Sequence, residues 1–115
     1  MKSNYLNEDK VHVAKSEKIR KGIEFVKEQN KKQVVIEKII LFGSSVTDEC
    51  DENSDIDLCF VTNYNCSNPV FFDIYGGISL VMDDLCDILI YHKLKGKIKE
   101  EIDAKGIVVY DYREG

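Results

Sequence analysis

The sequence predicts one small α/β (α+β) domain, residues 1–115, in which a mixed β-sheet is backed by helices packed on one face. Three observations lead there. Hydrophobic periodicity switches between helical and strand spacing to give the order α-β-β-α-β-α-β. The β-branched runs stop at glycine or at clusters of turn residues. A chain of 115 residues has material for one modest core, not for separate catalytic and substrate domains.

Residues 1–9 are polar and are expected to be frayed. From about Lys10 to Lys32, Ile19, Ile23 and Val26 recur at helical spacing, with Ala14 and Phe25 near the same stripe, and the Lys-rich remainder reads as a solvated face. Val34 to Phe42 is apolar, β-branched and ends at Gly43, the pattern of a first strand. Ser44 to Asp51 reads as a short helical turn and loop, Asp55 to Thr62 as the second strand, and Asn63 to Pro69 as a loop. Phe71, Ile74, Tyr75, Ile78, Val81, Met82 and Leu85 follow spacings of three and four, predicting a helix over 70–85 that must tolerate Gly76-Gly77. Cys86 to Tyr91 is a third strand, Leu94 to Lys105 a third helix closed by Gly106, and Ile107 to Tyr110 a last strand.

Composition narrows the function. A formal charge of −5 argues against broad nucleic-acid binding, which needs a surplus of Lys and Arg. A nucleotide carried with Mg²⁺ is not excluded, because a bound cation reverses the local sign. The four cysteines, Cys50, Cys59, Cys66 and Cys86, form no Cys-x-x-Cys pair, which argues against zinc and for free thiols. No apolar run approaches the roughly 20 residues that span a bilayer, and the start MKSNYLNEDK has no apolar signal segment. The expected setting is the cytoplasm, with no membrane association.

The chemistry concentrates in Leu41 to Phe60, LFGSSVTDECDENSDIDLCF. Alternation along Asp55, Ile56, Asp57 and Leu58 puts the two carboxylates on one face of a strand and the two aliphatic side chains on the other. Phosphoryl and nucleotidyl transfer depends on electrostatic stabilisation, which paired hard cations held by carboxylates supply. Asp87, early in the next strand, is the third acid able to lie beside Asp57, whereas Asp83 and Asp84 fall on a helix end and read as solvent-facing charges. Gly43 permits a tight turn after the first strand, and Ser44 with the amides after it can donate to phosphate oxygens at a helix start. Two acids at a strand end are also what an exposed sheet edge carries. Their fixed spacing from Gly43-Ser44 and the later strand acid favour a site. His12 and His92 read as surface residues, and nothing in the spacing of Tyr64, Tyr75, Tyr91 and Tyr110 selects a nucleotide contact.

Gly43-Ser44, ten intervening positions, Asp55-Ile56-Asp57 and then Asp87 together resemble the signature of the polymerase-beta-like nucleotidyltransferase superfamily, above all its minimal nucleotidyltransferases. The resemblance runs from about Glu17 to Tyr110. It implies a nucleotidyltransferase-like sheet and two Mg²⁺ ions bound by Asp55, Asp57 and Asp87, which are then also the catalytic acids. It implies that Gly43, Ser44 and Ser45 contact the triphosphate of ATP, and that a nucleoside monophosphate passes to an acceptor hydroxyl. Small proteins of this kind resemble antitoxins paired with HEPN-type toxins, and the resemblance implies a toxin tyrosine as acceptor. The alternative is a module that neutralises such a toxin by contact alone. Relatives typically place an arginine soon after Gly-Ser, whereas this chain reads Ser45-Val46-Thr47-Asp48-Glu49, leaving phosphate charge to metal, amides or lysines such as Lys97 and Lys99.

Overall fold

The computed structural model describes residues 5–11, 13–32, 34–43, 56–62, 68–82 and 86–113. Its elements are α1 (Val13–Asn30), β1 (Ile36–Phe42), β2 (Ile56–Thr62), α2 (Asn68–Met82), β3 (Cys86–Ile90), α3 (Lys97–Lys105) and β4 (Ile107–Asp111). The strands form one sheet in the order β3-β2-β1-β4. β1 pairs antiparallel with both β2 and β4, and β2 pairs parallel with β3. The parallel pair needs a crossover, which α2 supplies. The sheet is thus the mixed one expected.

Alternation over residues 39–42 of β1 and along β2 gives the sheet two apolar faces. Ile39 and Leu41 with Leu58 and Phe60 meet Ile19, Ile23 and Val26 of α1 and Ile74 and Ile78 of α2 in the larger core. Ile40, Phe42 and Cys59 form a smaller core with Ile102 of α3. The expectation of helices on a single face therefore needs correcting for α3, which packs on the opposite side. The physical reason is that both alternate sets of β1 are apolar, so leaving the second face bare would expose Ile40 and Phe42 to water.

Gly76-Gly77 does not interrupt α2. A Cβ on Gly77 would collide with the Phe25 ring, so the missing side chain is what lets α1 and α2 pack closely at that point. Lys15, one turn before Ile19 on the core-facing stripe, is buried to 1% exposure and is not without an interaction partner.

Residues 5–9 are not frayed, as the polar sequence suggested. The Tyr5 hydroxyl meets the Ser16 hydroxyl at 2.9 Å, Arg20 pairs with Glu8 and Glu17, and Asn7 Nδ2 donates to the Val108 carbonyl at 2.8 Å. Val11 joins the larger core. Polar side chains pin this segment to α1 and β4, so hydrophobicity alone did not reveal its order.

Asn30 joins helix to sheet. Its Oδ1 accepts from the Val35 and Ile36 amides at 2.9 and 3.3 Å, and its Nδ2 donates to the Ile36 carbonyl and the Tyr110 hydroxyl, both at 2.8 Å.

Ile102 is the one fully enclosed residue of α3, so Ile102→Ala is expected to lower stability by about 2–4 kcal/mol through lost burial and a residual cavity, read as a reduced midpoint in urea. Cys59 has 0% exposure, and burial pushes its thiol up to about 11. Folded protein at pH near 8 should therefore leave Cys59 unalkylated by iodoacetamide, while the denatured chain is modified there, as peptide mass spectrometry would show.

Candidate active site

β1, β2 and β3 bring one end of the sheet to a point of chemistry. Phe42 of β1 lies opposite Asp57 of β2 in the antiparallel ladder. Asp57 lies beside Asp87 in the parallel ladder between β2 and β3. Adjacent strands run about 4.8 Å apart, and registered neighbours project to the same face. Asp57 and Asp87 therefore share a face, the one that carries Cys59 and Leu89, while Ile56, Leu58 and Ile88 point into the larger core. For Ile56, Asp57 and Leu58 this is the division that alternation predicted; Asp55 lies outside the described residues.

Gly43 follows β1 directly and has φ of 68°, in the left-handed region where a side chain is strained. A Cβ built there would stand 2.5 Å from Asp57 Oδ2 and 3.2 Å from its Cγ. The Asp57 carboxylate thus lies against the backbone of the turn, and only glycine leaves it room. Asp57 is half-buried and Asp87 exposed, so the pair runs from the turn outwards to solvent. Asp57 has a polar or electrostatic partner in the fold.

Ser44, Ser45 and Asp55 lie outside the described residues, as do Asp83 and Asp84. Among the described residues no group of three His, Cys, Asp or Glu side chains is arranged to hold a metal ion. Two neighbouring carboxylates at a sheet end nonetheless offer hard oxygen donors suited to Mg²⁺. Asp57 and Asp87 are the residues that would hold it.

Lys99 is placed away from this site. The Lys99 ammonium lies 5.1 Å from the centre of the Tyr91 ring, and Tyr91 follows the last residue of β3. From Asp87 to Tyr91 an extended strand covers roughly 13 Å. α3 begins at that far end, so Lys99 is carried away from the acids. Tyr91 itself donates to Asp103 Oδ1 at 2.8 Å; this bond is the largest cause of a raised Tyr91 pKa. His92 is exposed, with Nε2 3.2 Å from the Thr62 carbonyl oxygen, in keeping with a surface role.

Among the described residues no helix is long and apolar enough to cross a membrane. No curated protein matches the sequence significantly. Solved structures do. A toxin–antitoxin complex with AMP-PNP matches at TM-score 0.60 and 18% identity, covering 95% of this chain and 77% of the other. A protein assigned as a minimal nucleotidyltransferase matches at TM-score 0.62 and 20% identity over 79% of this chain and 92% of its own. A tri-AMPylated Shewanella oneidensis HEPN toxin in complex with its MNT antitoxin matches at TM-score 0.56 and 14% identity, over 84% and 75% of the two chains. Identities this low establish a shared fold. The sequence evidence is more specific, because the model of the polymerase beta nucleotidyltransferase domain aligns with residues 24–115, from the middle of α1 past β4. By that alignment, and by the fold that accompanies it, the chain belongs to the polymerase beta nucleotidyltransferase family.

Proposed function

We propose that this protein is a Mg²⁺-dependent nucleotidyltransferase that moves AMP from ATP onto a hydroxyl of a partner protein, a tyrosine of a HEPN-type toxin, and so acts as an antitoxin in the cytoplasm. The observation that carries the reading is the registered pair Asp57 and Asp87 beside the side-chain-free turn at Gly43, in a chain of this family. Structural neighbours that are toxin–antitoxin complexes, one with AMP-PNP and one with a tri-AMPylated toxin, support the choice of nucleotide and partner.

In the proposed reaction the acceptor oxygen attacks the α-phosphorus of ATP, the bond from that phosphorus to the bridging oxygen breaks, and pyrophosphate leaves. Bound Mg²⁺ would supply charge neutralisation of the triphosphate and of the entering and leaving oxygens. Asp57 and Asp87, with Asp55 completing the ligand set, would hold the cations. Asp87, the more exposed of the described pair, takes up the acceptor's proton. Gly43, Ser44 and Ser45 present backbone amides and hydroxyls to the phosphates. The partner would furnish the acceptor side.

One observation favours a second reading. No arginine stands in the few positions after Gly43-Ser44, which read Ser45-Val46-Thr47-Asp48-Glu49, and Lys99 lies over the Tyr91 ring past the far end of β3, where it does not offset triphosphate charge. A chain weakened in catalysis in this way would neutralise its toxin by contact. Incubation with the toxin partner and ATP labelled at the α-phosphate separates the two. The transferase transfers label to a toxin tyrosine, and EDTA abolishes the transfer; the contact inhibitor transfers none and shows no heat of Mg-ATP binding by calorimetry, alone or in the complex.

Asp57→Asn and Asp87→Asn are each expected to reduce labelling by roughly 10²–10³-fold with an unchanged circular dichroism spectrum. Full labelling by Asp57→Asn would remove the assignment. Gly43→Ala should displace the Asp57 carboxylate and cut the rate while costing about 1 kcal/mol of stability for an alanine at positive φ, separable by comparing activity with the urea midpoint.

A further inference from the structure

At the other end of the sheet, a cleft of about 250 Å³ opens between the last turn of α1 and the end of β4, lined by Lys27, Asn30, Lys31, Val34, Tyr110 and Tyr112. Along β1 it lies roughly 20 Å from Gly43. Asn30 determines the chemistry of its floor. Because Asn30 Oδ1 is taken by the amides of Val35 and Ile36, the atom that meets the Tyr110 oxygen is the nitrogen, which can only donate. The Tyr110 oxygen is therefore an acceptor in this bond, and its own hydrogen has no acceptor among the described residues. Burial raises the Tyr110 pKa, which keeps that hydrogen in place.

The walls add positive charge and a flat surface. Lys27, in the last turn of α1, and Lys31, just after it, stand one turn apart and are both exposed. Lys31 meets Glu28 at 3.2 Å in a pair exposed on both sides, which holds it weakly. Tyr112 contributes an aromatic ring, with the Arg113 guanidinium 5.7 Å from its centre. Among the described residues no carboxylate lines the cleft. Two ammonium groups and an unspent phenol hydrogen call for an anion, and the ring calls for a planar group beside it. The volume suits one small molecule, and the chain's charge of −5 opposes a long polyanion.

We propose that this cleft is a second, metal-independent ligand site for a nucleoside monophosphate, with the phosphate between Lys27, Lys31 and the Tyr110 hydroxyl and the base against Tyr112. It requires neither Asp57 nor Asp87, so it can be tested apart from the transferase reaction. Amide spectra of the full chain would be recorded by NMR in EDTA during titration with AMP. The expected result is saturable shifts at residues 27–31 and 110–113, retained in Asp57→Asn and weakened about tenfold or more in Lys27→Gln/Lys31→Gln, whose exposed positions spare the fold. Absence of shifts at millimolar AMP would overturn the site, as would equal affinity in the double variant. Inorganic phosphate binding as well as AMP would overturn the role of the ring, and a short oligoadenylate binding more tightly than AMP would overturn the mononucleotide assignment.

Discussion

The pairing of β1 with β2 is the constraint on which the arrangement depends. With Phe42 held opposite Asp57, the Gly43 backbone lies against the carboxylate, and glycine is the residue type that allows it. A slip of one position would send Asp57 into the larger core and Ile56 and Leu58 out of it. The two buried faces therefore protect the register with all the apolar area of both cores. Position of the acids and stability of the sheet are consequences of the same alternation.

That coupling explains why α3 is where it is. Ile40, Phe42 and Cys59 form a patch on the face that carries Asp57, and Ile102 covers it. The acids stay accessible because α3 covers the middle of the face while Asp57 and Asp87 sit at the second residues of their strands. Asp87, on the edge strand β3, is the more open of the two.

Much of this was legible in the sequence. Alternation in β2 and the position of Asp87 near the start of a strand were enough to anticipate two acids on neighbouring strands. Three features were not. The segment KIKEEIDAK has only two apolar positions before its alanine, too thin a stripe to say which face of the sheet it covers. The direction of α3 decides where Lys97 and Lys99 end up, and direction is a property of the connection, not of the lysines. Asn30 reads as an ordinary polar residue near a helix end, yet its partners include Tyr110, 80 positions away. Contacts at such separation leave no local pattern.

The central strand β1 has consequences for how the protein is made. Its two edges are closed by β2 and β4, and β4 follows every other strand of the sheet. During synthesis on a ribosome, β1 can pair early with β2 but keeps an open edge until Ile107–Asp111 has emerged. Asn7, already waiting on α1, then reaches Val108. The nascent chain thus carries an unsealed hydrogen-bonding edge until β4 is made, the condition in which strand-to-strand association with other chains is most costly to proteostasis.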